Sequence, residues 1–209
     1  KRVRSSVMSS KTTQSKNPKP GLLISPSRFF YARSNLLAAL LATAVLAGYL
    51  VVVLMGKGAA FEVANSSVRS LGTTLGFGQT EILAFLAERS EQMILAYINF
   101  NQVWDSLFAL IYGVMYVIWV SVLFKPYSKR ATFLNLLPFG QVVFDWLENF
   151  ALATLSNEFL AGGTISSTTA ALASTFSTIK WVFSLLVYGV ILVGIVMRVV
   201  RAIKKRGQR

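Results

Sequence analysis

The chain contains neither cysteine nor histidine. The first absence excludes disulfides and thiolate metal sites, and the second removes the commonest general base and metal ligand. No metal site, haem ligation or Ser-His hydrolysis is therefore expected, and no pigment held through imidazole; a pigment ligated by carboxylate, amide or water stays open. Acids are scarce as well, eight Asp and Glu against 21 Lys and Arg, for a net charge of +13. Charged residues are 14% of 209, against roughly a quarter in soluble domains. Hydrophobic residues reach 54% and the mean hydropathy is +0.57. Such a balance belongs to a membrane protein.

A span needs about 20 mostly apolar residues to cross a hydrocarbon core of roughly 30 Å. Leu36 to Met55 meets this without a charge, and Ser106 to Phe124 and Trp181 to Val200 also qualify. Ala131 to Thr154 is the fourth candidate, although it carries two acids and a surface or re-entrant helix is its alternative. Four spans put the basic segments on one side: the N-terminal residues up to Arg33, the connection Lys125 to Arg130, and the C-terminal run from Arg198. Only Lys57, Arg69, Arg89 and Lys180 fall on the other side, and every acid lies there or within a span. By the positive-inside bias, both termini face cytoplasm, matrix or stroma. The expected fold is all-α: a four-helix transmembrane bundle with an added amphipathic helix over 80–104, lying along the interface or running into the second span, and an extended basic N-terminal tail.

Three regions follow: a Ser-rich basic tail (1–34), a four-span membrane domain (35–204) and a short basic end (205–209). The tail holds no acid and resembles an organelle transit peptide, which for a chain beginning at Lys1 suggests a trimmed precursor or a start inside the gene product. Residues 56–80 read as a loop and 162–178 as a low-complexity connection, with an early start of the fourth helix as its alternative. Asn65-Ser66-Ser67 matches the short glycosylation pattern. Small residues four apart, Ala38 and Ala42, Ala44 and Gly48, Ala109 and Gly113, are candidates for close helix contact.

Residues three and four apart share a helix face. Asn135, Pro138, Gln141, Asp145, Glu148 and Asn149 thus form one polar stripe on the third predicted span. Acids inside a bilayer are costly, so the stripe faces protein or water. It is read either as helix glue, with Asp145 and Glu148 paired to Arg89 or Lys180 near the far interface, or as a proton or cation path. Asp105 either joins this cluster or serves as a helix N-terminal acid favoured by the macrodipole. No catalytic residue is assigned. Arg28, Arg33, Lys129, Arg130, Arg201, Lys204, Lys205 and Arg206 are candidates for contact with anionic lipid or partner proteins.

The segment "LLPFGQVVFDWLENFAL", with Pro138, Asp145, Glu148 and Asn149 in a P-x6-D-x2-E-N arrangement, follows Tyr97, Asp105 and Tyr112 in "AYINFNQVWDSLFALIYG". Over Gly76 to Leu155 the chain resembles a family of small uncharacterised four-span membrane proteins found mainly in bacteria. It departs from that pattern at Met93-Ile94, where the family carries Gly-Arg, and in its long basic tail. The resemblance implies the four-span topology and makes the acid stripe a family feature; it implies no activity.

The leading functional expectation is a non-catalytic accessory subunit of a large organellar membrane complex, mitochondrial inner membrane before thylakoid. Its expected partners are other subunits and anionic lipids, with bound lipid in place of a cofactor and nucleic acid disfavoured. A small transporter or channel using the Asp145 and Glu148 stripe is the alternative, and an intramembrane lipid enzyme the third class.

Overall fold

The computed structural model of the chain describes residues 24–207 apart from 65, 67, 69 and 132. Residues 1–23 of the predicted tail, and Asn65 and Ser67 of the glycosylation pattern, lie outside the described residues. The main helices are α1 (Ile24–Arg33), α2 (Leu36–Phe61), α3 (Gln79–Ala87), α4 (Glu91–Tyr127), α5 (Leu137–Gly162) and α6 (Ser167–Arg206), with no strand among the described residues. Helices α2, α4 and α6 are long and apolar enough to cross a membrane. Helix α5, which contains most of the predicted third span, is 26 residues long but outside that set. Gln141, Asp145, Glu148 and Asn149 dilute its apolar run.

Helices α4 and α6 have 37 and 40 residues, hence lengths of about 55 and 60 Å, well beyond a core of about 30 Å. Their surplus lies at one end. Along Leu36–Met55 of α2 and Val182–Met197 of α6 most exposed side chains are apolar, among them Leu37, Val45, Val52, Leu185, Leu192 and Val196. At the opposite end of α6, where it meets α3, α4 and α5, residues such as Phe85, Leu86, Ile94, Leu152, Leu155 and Ala173 turn inward and form a packed core. That inward packing is what a water-exposed bundle requires. The molecule therefore has a half with an apolar surface and a cap with an apolar interior.

The helix expected over 80–104 is two pieces. It breaks at Glu88–Ser90, where the Ser90 hydroxyl accepts the Met93 N–H and starts α4, which then runs unbroken to Tyr127. Arg89 fills the break: it donates to the carbonyls of Phe61 and Phe85, and its guanidinium lies 3.4 Å from the Phe85 ring centroid. Residues 167–178 are the first turns of α6, the early helix start that the connection left open. Ser166 caps them by accepting the Thr169 N–H. The hydroxyls of Ser177 and Thr178 donate to the Thr74 and Leu75 carbonyls, and Ser174 accepts the Phe77 N–H, so the Ser/Thr-rich sequence holds the 74–77 segment along α6.

At the basic end, the last part of the predicted tail is the helix α1. Ser27 Oγ donates to Asn135 Oδ1 at 2.7 Å, and the Asn135 amide donates back to the Ser27 carbonyl and to Ser121 Oγ. Asn135, first in the predicted stripe, is thus spent on docking α1. Tyr31 donates to the Ala131 carbonyl at 2.7 Å, and burial pushes its hydroxyl up to about 12. The folded state favours the neutral phenol, so this stabilisation is complete below about pH 10 and is lost as pH rises through about 12. Tyr31→Phe is expected to cost about 0.5–1.5 kcal/mol. Subtracting its ultraviolet tyrosinate titration from that of the wild type should leave one step near pH 12; a step near 10 would show that Tyr31 is not docked.

Helix contacts are closest at glycine. A Cβ on Gly113 would lie 2.2 Å from Val142 Cγ2, and one on Gly194 would lie 2.8 Å from the Phe124 ring and 2.9 Å from Leu123 Cβ. Ala109 and Gly113 are buried at a helix contact as their spacing suggested, whereas Gly48 faces open space.

Candidate functional site

The stripe of α5 is set by helix geometry. Gln141, Asp145, Glu148 and Asn149 are buried on its inner face, while Val143, Trp146, Leu147 and Phe150 are exposed on the other. Pro138 opens the helix, where its missing N–H costs nothing, and Gly163 in the left-handed region (φ 70°) closes it, its N–H reaching the Phe159 carbonyl at 2.7 Å. The helix thus carries its acids through the middle of the bundle instead of at a frayed end.

Lys180 of α6 meets them. Its ammonium lies 3.3 Å from Asp145 Oδ1, pairs with Glu148 Oε2, and donates to the Gly72 carbonyl at 3.2 Å. Tyr112 of α4 donates to the other Asp145 oxygen at 2.6 Å. Side-chain exposure is 9% for Lys180, 6% for Asp145 and 0% for Glu148. Of the two cations expected as partners, Lys180 is the one engaged; Arg89 is committed to backbone carbonyls in the cap.

Asp105 is not at a helix N-terminus, because α4 starts at Glu91. It closes a wider, π-type stretch, Phe100–Asp105, and α2 has a matching one at Leu50–Leu54. Such turns redirect side chains and leave carbonyls unmatched along the helix. Here the Trp104 carbonyl accepts from the Tyr49 hydroxyl at 2.8 Å, and the Asn101 carbonyl accepts from Ser106 Oγ. The macrodipole role is therefore withdrawn.

Both widened turns flank a cavity of about 710 Å³, within the range of small-molecule sites. Ser70 and Gly72 border it on the cap side, Asp105, Asp145 and Lys180 in its wall, and Tyr116 and Tyr188 deeper in the bundle. It does not reach the basic end, where Leu123 and Phe124 close against Gly194 and Asn135 ties α1 to α4. Gln141 Oε1 and the Tyr97 hydroxyl, both on residues lining the cavity, are buried without a hydrogen-bond partner. Buried polar groups normally have one, which makes these two atoms informative. Among the described residues, no Lys or Arg forms an ion pair with Asp105.

The candidate anion-contact residues are gathered elsewhere. Arg28, Arg33, Lys129 and Arg130 are exposed near the basic end, and Arg201, Lys204, Lys205 and Arg206 are exposed on the last turns of α6. Trp104, Trp146 and Trp181 lie nearer the acids: Trp104 stacks beneath Lys57 at 4.8 Å, and Trp146 donates to the Ser106 carbonyl. Two functional features escaped sequence reasoning. The Tyr116 and Tyr188 wall had as its only signal the i, i+4 spacing of Tyr112 and Tyr116, and the cavity itself draws on segments too far apart in sequence to be seen as one.

Searches with this chain bring up no matching protein family, curated protein or solved structure.

Proposed function

We propose that the chain is a four-span membrane protein that binds a small solute in this cavity and carries it across the bilayer, with both termini on the cytoplasmic, matrix or stromal side. The observation that carries this reading is the cavity: it runs from the cap toward mid-bundle, is walled by ionisable and unpaired polar groups, and stops against tightly packed residues toward the basic end. A site that extends toward one end and is closed at the other is what one half of an alternating-access cycle requires.

Four spans are supported by α5 itself, whose outward side chains are apolar and whose length is about 39 Å. The fourth crossing also keeps the basic segments together, and it agrees with the P-x6-D-x2-E-N resemblance. The accessory-subunit reading leans on the basic tail and on polar residues as glue. Glue residues satisfy one another, whereas Gln141 Oε1 finds no partner within the bundle and Asp105 has no Lys or Arg ion pair among the described residues. Transport therefore moves ahead.

The absence of cysteine makes the test direct. A Ser184→Cys variant places one thiol in the cavity wall, and a membrane-impermeant thiol reagent is applied separately to each face of oriented vesicles. Transport requires labelling from the cap face and, in a fraction of molecules that grows when the cap face is blocked, from the basic face. Labelling from the cap face alone would leave a binding protein that does not transport; no labelling from either face would end the reading.

A further inference from the structure

We propose that the cavity takes a protonated organic amine with an aromatic or apolar body, the ammonium meeting Asp105 and a second donor reaching Gln141. This names the substrate class for the site proposed above and rests on that reading of the cavity.

The charge balance comes first. Asp105, Asp145 and Glu148 contribute three carboxylates around one ammonium, that of Lys180, which is already engaged by Asp145, Glu148 and the Gly72 carbonyl. Asp105 lines the cavity with no Lys or Arg in ion-pair reach among the described residues. A partly desolvated carboxylate is costly without a counter-charge. An anionic ligand would worsen this balance, a neutral one would leave it unchanged, and a monocation at Asp105 supplies the counter-charge that carboxylate lacks.

The unpartnered atoms say what kind of cation. Gln141 is 5% exposed and its Oε1 accepts nothing. Along α5 it stands about 6 Å nearer the basic end than Asp145. An acceptor left open at that depth calls for an N–H or O–H on the ligand, which a tetraalkylammonium lacks. The wall between is aromatic: Phe108, Tyr112, Tyr116 and Tyr188 form a continuous series with ring centroids 5.4, 6.0 and 5.7 Å apart. Ring faces attract cations and pack against apolar bodies. A bare metal cation instead seeks six or more oxygen ligands, and a volume of about 710 Å³ is far larger than it needs.

Tyramine is a suitable probe, since it carries an ammonium at one end and a hydroxyl donor at the other. Its neutral isostere tyrosol and the anion hydroxyphenylacetate keep the body and change only the charge. Binding of labelled tyramine to the full chain in mild detergent is expected to saturate, with tyrosol and hydroxyphenylacetate competing roughly tenfold or more weakly. Asp105→Asn, shown to be folded by its melting temperature, should weaken tyramine by a similar factor, and Asp105→Glu should retain most of the affinity. Tyrosol competing as well as tyramine, or tyramine failing to saturate, would overturn the proposal. If Asp105→Asn does not fold, the wild-type comparison of tyramine with tyrosol decides by itself. Detergent binding has no sides, so amine binding without two-faced thiol labelling would remove transport and keep the amine site. Two-faced labelling without amine selectivity would do the reverse.

Discussion

Lys180→Met is expected to destabilise the protein by about 3–5 kcal/mol, the usual cost of leaving a buried ion-pair partner uncompensated. The cause is the remaining pair of carboxylates, because Asp145 and Glu148 are nearly inaccessible and both engage this ammonium. Methionine fills the same volume with no charge, so the loss is electrostatic and not a cavity effect. The contact to the Gly72 carbonyl disappears too, freeing the segment that covers the cluster. Combining Lys180→Met with Asp145→Asn and Glu148→Gln is expected to recover most of the stability, since a whole buried ion network can be replaced at little cost once no charge is left alone. Denaturant titration in mild detergent, followed by tryptophan fluorescence, gives both values. A single variant within about 1 kcal/mol of wild type would mean that the carboxylates already reach water or carry protons, given the penalty for stranding a buried charge.

That cluster was legible in the sequence as far as periodicity reaches. The i, i+3, i+4 spacing alone put Gln141, Asp145, Glu148 and Asn149 on one face, and Lys180 was one of the two expected partners among four cations on the acidic side. The choice between Lys180 and Arg89 was not legible. It depends on the break at Glu88–Ser90, which turns Arg89 toward backbone carbonyls, and the hydrophobic pattern runs through that break unaltered. The same continuity misassigned Asp105: the apolar run begins at Ser106, but the helix begins at Glu91 because the cap supplies partners for its polar first turns. Helices α2, α4 and α6, long and apolar enough to cross a membrane, were readable from composition, since an uninterrupted apolar run is visible in sequence. Helix α5 was harder, because a helix buried among others can be polar within and apolar outside, and its average hydropathy reports neither face.

Gly140→Val is the second large effect, with an expected loss of about 1–3 kcal/mol from overpacking. A Cβ at position 140 would stand 2.3 Å from Phe183 Cε1 and 2.7 Å from two further ring atoms, so the α5 and α6 backbones are held together by the missing side chain. Retreat of Phe183 would cost the stacking of its ring on Phe144, at 5.7 Å with an interplanar angle of 22°. The separation forced on the two helices acts between Asn135 at the basic end and Asp145 in the ion cluster. Phe183→Ala in the Gly140→Val background should restore part of the loss by opening the space that valine needs, although alone it removes a packed ring at a cost of about 3–5 kcal/mol if fully buried and less here, where the ring is half-exposed. The double-mutant coupling is therefore the decisive quantity. A favourable coupling of about 1 kcal/mol or more places Gly140 directly against Phe183. Additive losses would mean that valine is accommodated elsewhere and that the α5–α6 contact, with the geometry of Asp145 and Lys180 that depends on it, is looser than the distances indicate.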